Sequence, residues 1–209
     1  MLHENRDCLA IDESAALRAM YRARKEVFVD LLKWNLPVLA GEFEIDQFDD
    51  VDAEYLILLG PDRAHRASAR LLRTDRPHLL GDLYAHLCAG PVPVGPGVRE
   101  ITRFCLDRNQ RAGERRAARN QLVTALADYA LANGITAYTG VAEVEWFNQI
   151  RRFGWACEPL GQPMRHGGRF LAALHILIEA DTPEKLRAGG IGTDAGYALV
   201  RTRIEGGQP

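Results

Sequence analysis

The chain is short of the features that announce many protein classes. No apolar run approaches the ~20 residues of a membrane span, and the segment MLHENRDCLAIDES carries no apolar core like that of a signal peptide. Both absences point to a chain that works in the cytoplasm, off the membrane. The four cysteines, Cys8, Cys88, Cys105 and Cys157, lie far apart and form no CxxC pair. They read as reduced thiols, with no disulfide framework. The six histidines make no HxxxH or HExxH pattern, so no metal site is expected. A formal charge of −2 gives no reason to expect nucleic-acid binding. Internal repeats and low-complexity segments are also missing.

What is present fits one compact domain: 209 residues, 47% hydrophobic and 26% charged. Residues 14–34 read as a helix, with Leu17, Met20, Tyr21, Val27, Phe28, Leu31 and Leu32 at helical spacing. Residues 55–59 and 67–72 read as strands joined by a Gly60-Pro61-Asp62 turn. A short helical piece surrounds residues 79–88, and 98–106 (VREITRFCL) is the next strand. Then come a helix over 114–133 stopped by Gly134, a strand over 135–141, a helix over 143–153 and a strand over 170–178. Thr182-Pro183 opens a last helix. This order predicts a three-layer α/β/α sandwich with a mixed central sheet. Residues 1–188 form the expected domain, and 189–209 a loosely held, Gly-rich tail.

Several charges fall where apolar residues belong. Arg24 lies on the apolar face of the first helix, where a charge is costly unless paired. Residues 41–50 hold five acids, among them Asp46 and Asp49, interleaved with Phe43, Ile45 and Phe48. Arg70 sits inside a strand. Glu100 and Arg103, three apart, should face opposite sides of a regular strand, and a β-bulge between them would bring both to one face. Each has an ordinary reading alone: a snorkelling arginine, a solvated acidic loop, exposed charges on an edge strand. Together they are complementary. A network of Asp46, Asp49 and Glu100 with Arg24, Arg70 and Arg103 on one sheet face satisfies all of them. It also suits a zwitterionic ligand such as an amino acid.

The ordered set Arg24-x-x-x-Phe28, Trp34, Glu44-x-Asp46-x-x-Asp49, Arg70-Leu71-Leu72-x-Thr74 and Glu100-x-x-Arg103-Phe104 resembles the acyl-homoserine-lactone synthases over roughly residues 17–178. The resemblance implies the fold of the GCN5-related N-acetyltransferases. It also implies a reaction in which the amine of S-adenosylmethionine attacks an acyl thioester, carried by acyl carrier protein or coenzyme A. The methionine carboxylate then closes on its own γ-carbon and expels methylthioadenosine. Both reactants are substrates, and no cofactor is implied.

On that resemblance the catalytic set is Glu100, Arg103, Asp46, Asp49 and Arg70. Glu100 helps take the amine proton, Asp46 and Asp49 hold the ammonium, and the arginines lock the acids and hold the carboxylate. Arg24, Arg103, Phe28 and Trp34 form the S-adenosylmethionine site, the two rings facing a sulfonium cation. An acyl pocket is expected near Val141, Ala142, Trp146, Phe147 and Ile150. Members that favour 3-oxo chains often carry Thr where Ala142 stands; Ala offers no hydrogen bond, which points to unsubstituted chains. For the phosphopantetheine and its carrier, Gln110-x-x-Gly113 partly matches the acetyltransferase Q/R-x-x-G-x-G/A loop, with Arg115 in place of the small residue. Arg108, Arg111, Arg115, Arg116 and Arg119 put five arginines in twelve residues, beside Phe104. Such a patch attracts an acidic carrier. The competing readings are an acetyl-coenzyme A N-acetyltransferase and a non-catalytic binding module on the same fold.

Overall fold

The computed structural model describes residues 12–192 and 195–204. Residues 1–11, Cys8 among them, and residues 193–194 and 205–209 of the Gly-rich tail lie outside them.

Helix α1 (Glu13–Arg24) starts at Asp12, whose side chain accepts from the Ala15 N–H at 3.1 Å. It buries Ala16, Met20, Tyr21 and Arg24, one face of the turn spacing. The α-winding does not run on to residue 34 as expected. Lys25–Leu31 is a π-helix, with Leu32 N–H donating to the Val27 carbonyl five residues back, and Lys33 at φ +58° ends it. One extra residue per turn rotates Val27 and Phe28 onto Cys105 while Arg24 keeps its own direction.

A hairpin of β1 (Val38–Leu39) and β2 (Phe43–Glu44) follows. The main sheet contains β3 (Glu54–Leu59), β4 (His65–Arg73), β5 (Val98–Leu106), β6 (Ala137–Glu143), β7 (Ala156–Pro159), β8 (Met164–His166), β9 (Arg169–Leu177) and β10 (Ala198–Arg203). Its order is β10-β3-β4-β5-β6-β9-β7, with β8 also on β9. All pairs are antiparallel except β5/β6.

The remaining helices are α2 (Leu79–Leu83), α3 (Ala112–Ala132), α4 (Val144–Ile150) and α5 (Thr182–Ala188). Helix α1 covers Tyr55, Ile57 and Leu72 on one sheet face, and α3 covers Leu56, Leu58, Ala69 and Leu71 on the other. Three layers around a mixed sheet result, the arrangement of the GCN5-related N-acetyltransferase type. Gly134 stops α3 at φ +66°, a conformation glycine adopts without strain.

The tail is not loose throughout. Ala198–Arg203 is β10, paired with β3 over six residues from Ala198↔Leu59 to Arg203↔Glu54, with Val200 and Thr202 buried. Its short alternation is hidden between glycines. Among the described residues Cys88, Cys105 and Cys157 are free thiols. No helix among them is long and apolar enough to cross a membrane.

Candidate active site

The expected bulge is present. Ser68 pairs with Cys105 and Arg70 with Thr102, so Arg103 and Phe104 together oppose Ala69. Arg103 sits at φ +51°, strained for a residue with a side chain. The extra residue turns the Arg103 side chain to the face that carries Arg70, Glu100 and Thr102, while Phe104 stays on the opposite one.

There the chain closes a ring of alternating charges. Arg24 Nε meets Glu44 at 2.6 Å, and Glu44 meets Arg103 Nη2 at 2.9 Å. Arg103 Nη2 reaches Asp46 at 2.6 Å, and Asp46 reaches Arg70 Nη1 at 2.6 Å. Arg70 Nη1 meets Asp49 at 2.8 Å, and Asp49 returns to Arg24 through two contacts of 2.8 Å. Every arginine bridges two acids and every acid two arginines, so the cluster is neutral. Further donors fill the remaining lone pairs: Tyr55 Oη to Asp49 at 2.8 Å, Asp46 N–H to Asp49, and Phe48 N–H to Asp46. Thr102 Oγ1 accepts from Arg70 Nε at 2.9 Å. Burial alone pushes the Asp46 and Asp49 carboxyls up, but the Arg70 guanidinium beside Asp46 and the Arg24 guanidinium beside Asp49 hold both below the usual carboxylate range.

Two expectations change on this geometry. Glu100 is not a member of the ring; Glu44, from the two-residue strand β2, takes that place. Glu100 points instead to α2, where Oε1 accepts from Leu80 N–H at 2.9 Å. Burial pushes its carboxyl up to about 8, and the Leu79 and Leu80 amides and Arg70 pull it only partly back. Asp49 and Arg24 are also closed off. Neither side chain has any exposed surface, and each is paired with two members of the ring. Arg103 and Asp46 are the members that retain some exposure, at 7% and 5%.

Phe28 and Trp34 stack with centroids 5.0 Å apart and planes 13° apart. The Arg103 guanidinium lies 5.8 Å from the Phe28 ring, and that of Arg169 lies 5.8 Å from Trp34. Arg169 also donates to the Leu32 carbonyl at 2.7 Å and pairs with Glu143. It ties the segment that carries Trp34 to the β6–β9 end of the sheet. Nothing in the sequence pattern singled out Arg169 or Glu143.

Next to the ring, the sheet forks. Strands β5 and β6 pair only from Val98↔Ala137 to Glu100↔Thr139, although both continue. Gly140 follows directly; a Cβ there would lie 3.0 Å from the Ile101 carbonyl oxygen. Glu100 therefore stands at the closed end of a wedge lined by unpaired backbone.

The residues expected around an acyl chain are divided by the sheet. Ala142, Trp146, Phe147 and Ile150 lie on the α3 face, with Trp146 5.4 Å from Phe104 across the fork. Val141 packs on the other face with Leu80, Leu87 and Ala173, because neighbouring strand residues point opposite ways.

Arg108, Arg111 and Arg116 are exposed around the start of α3, and Arg115 and Arg119 are half-buried. Arg119 is held by Asn120 Oδ1 at 2.7 Å and by the Phe153 ring. Gly113 has open space around it, so no close approach requires a glycine there. Gln110 Nε2 is spent on the Arg66 carbonyl, and Glu114 accepts from Arg111 N–H at 2.9 Å. A carboxylate thus stands at the helix end where the acetyltransferase loop would seat a pyrophosphate.

Comparison with known proteins places the chain beside one family. A family model described as "Autoinducer synthase" matches residues 9–186. An acyl-homoserine-lactone synthase of Ralstonia nicotianae is 34% identical over 190 residues, covering 87% of this chain and 91% of that one. Another, of Rhizobium etli, is 34% identical over 188 residues, covering 88% and 86%. Among solved structures, the CoA-dependent acyl-homoserine lactone synthase BjaI, with SAM and isopentyl-CoA, superposes at a TM-score of 0.78. It is 28% identical and the match covers 87% of this chain and 85% of that one.

Proposed function

Because the chain belongs to the autoinducer synthase family, we propose that its fork and charge ring join S-adenosylmethionine to an acyl thioester to make an N-acyl-L-homoserine lactone. The observation that carries this reading is the neutral six-member ring abutting the wedge at Glu100. An acetyltransferase needs the wedge but has no use for the ring.

The roles follow from exposure. Arg24, Glu44, Asp49 and Arg70 are buried and mutually satisfied, so they hold the platform rigid. Asp46 and Arg103, at its open edge, contact the ammonium and carboxylate of the substrate. Phe28 and Trp34 wall the sulfonium by cation–π attraction, worth roughly 0.5–2 kcal/mol. Glu100, as carboxylate, accepts the proton that the ammonium must lose. The freed amine attacks the thioester carbonyl, and the thiolate leaves and takes up the proton that the nitrogen releases as the amide forms. The substrate carboxylate then attacks its γ-carbon, the carbon–sulfur bond breaks toward sulfur, and methylthioadenosine departs.

The acyl chain runs past Phe104 along Ala142, Trp146, Phe147 and Ile150. The carrier, whether acyl carrier protein or coenzyme A, approaches the arginines at the start of α3.

The test is a thermal-shift titration. S-adenosylmethionine at about 100 times its Kd is expected to add about 2.7 kcal/mol of stability, a Tm rise of roughly 5 °C or more for a chain this size. An unchanged Tm at millimolar ligand, with the protein folded, would point to acetyl transfer or binding alone.

A further inference from the structure

Two buried oxygens at the closed end of the fork have no hydrogen-bond partner: Glu100 Oε2 and Thr139 Oγ1. Both residues have no exposed surface. They are partners in register, the last pair before β5 and β6 part. Adjacent strands lie about 4.8 Å apart, and residues side by side in register point to the same face. Tyr138, one position earlier, faces the other way and donates its hydroxyl to the Leu126 carbonyl. Packing alone does not ask for a hydroxyl at 139. A valine of the same shape would fill the space without an unpaired polar atom.

We propose that Thr139 is a positioning residue for amine deprotonation: its hydroxyl and Glu100 Oε2 together orient a water that relays the proton. This rests on the reaction proposed above. Thr139 donates its O–H to one lone pair of the water, and the water donates to Oε2, leaving its second lone pair facing the substrate ammonium. One ammonium N–H bond breaks with its electron pair left on nitrogen. The water takes that proton as it releases one of its own to the carboxylate. A neutral amine, a water and a carboxylic acid result, and no other reactant is needed.

Other charged and titratable groups also surround the carboxyl. Arg70 reaches it from β4 and Asp82 from α2. His78 sits at the start of α2, and His175 on β9 pairs with Thr139. Arg103 follows on β5 itself. Replacing Thr139 leaves all of these in place, so a shift of the pH profile reports the hydroxyl.

The experiment compares Thr139→Val and Thr139→Ser with the wild-type full chain, using S-adenosylmethionine and butanoyl, isovaleryl, hexanoyl and octanoyl thioesters of coenzyme A and acyl carrier protein. Lactone is quantified by mass spectrometry. Thr139→Val is expected to lose about tenfold or more in kcat, with KM for S-adenosylmethionine nearly unchanged. Its pH–rate midpoint moves upward, because the carboxylate loses a hydrogen-bonded water. Its Tm is not lowered. Thr139→Ser restores both rate and profile. A Thr139→Val chain with wild-type kcat and pH profile overturns the proposal, as does a Thr139→Ser chain equally slow. Wild-type protein that makes no lactone from any donor overturns the reaction itself, and the proposal with it.

Discussion

Replacing Glu100 with Gln is expected to slow lactone formation by about a hundredfold or more while making the protein more stable at alkaline pH. The two effects share one cause. The Glu100 carboxyl is buried, with one oxygen on the α2 amides and the other unpaired, and burial lifts it to about 8 from an ordinary 4.5. The folded chain therefore binds this proton more tightly than the unfolded one. Its contribution to stability is fully present below about pH 4.5 and is lost as pH rises to about 8. Gln cannot ionise and carries no such loss. The Tm of Glu100→Gln minus that of wild type should be small near pH 4.5 and grow to roughly 4 °C or more by pH 8.5. Wild-type kcat should rise through the same pH range as the carboxylate forms, and the variant should lack that limb. Matching melting curves measured across pH with rate profiles checks both. A variant that is equally destabilised at all pH values would mean that Glu100 is a packing residue.

The opposite balance is expected at Arg24. Arg24→Met keeps the length and apolar body of the side chain but removes the guanidinium that bridges Glu44 and Asp49. Two carboxylates then remain buried, each with one arginine where there were two. Breaking a buried pair from one side costs about 3–5 kcal/mol, a large share of the stability of a single domain. Chemical denaturation should show this loss at neutral pH. Asp46 and Asp49 hold their protons less tightly than ordinary carboxyls, so their contribution is present above about pH 4 and is lost as acid titrates them. Wild type should therefore lose stability in acid more steeply than Arg24→Met, whose Asp49 has less to lose. If Arg24→Met unfolds at the wild-type denaturant concentration, the ring is not the scaffold described.

Much of this site was legible as charges standing at apolar positions. Arg24 lay on the buried stripe of α1, and Arg70 and Arg103 lay inside strands, so each demanded a partner. The bulge at Arg103 followed from asking how Glu100 and Arg103 could share a face. Which acid met which arginine was not legible. Glu44 and Glu100 are both plausible by face, and only the path of the β1–β2 hairpin brings Glu44 over the ring while α2 takes Glu100. The π-helix was hidden because Val27, Phe28 and Leu31 also satisfy ordinary helical spacing. Strand β10 was masked by its flanking glycines, although Val200 and Thr202 do alternate. That Val141 and Ala142 face opposite sides was legible, since β6 pairs with β9 without a bulge and neighbours on a regular strand alternate.

The most direct measurement is product analysis of the purified chain incubated with S-adenosylmethionine and the same coenzyme A and carrier-protein thioesters. An N-acylhomoserine lactone and methylthioadenosine are expected in equal amounts, both absent when either substrate is omitted. Folded protein that binds S-adenosylmethionine yet yields neither product with any donor, or that transfers an acyl group without releasing methylthioadenosine, would contradict the proposed reaction.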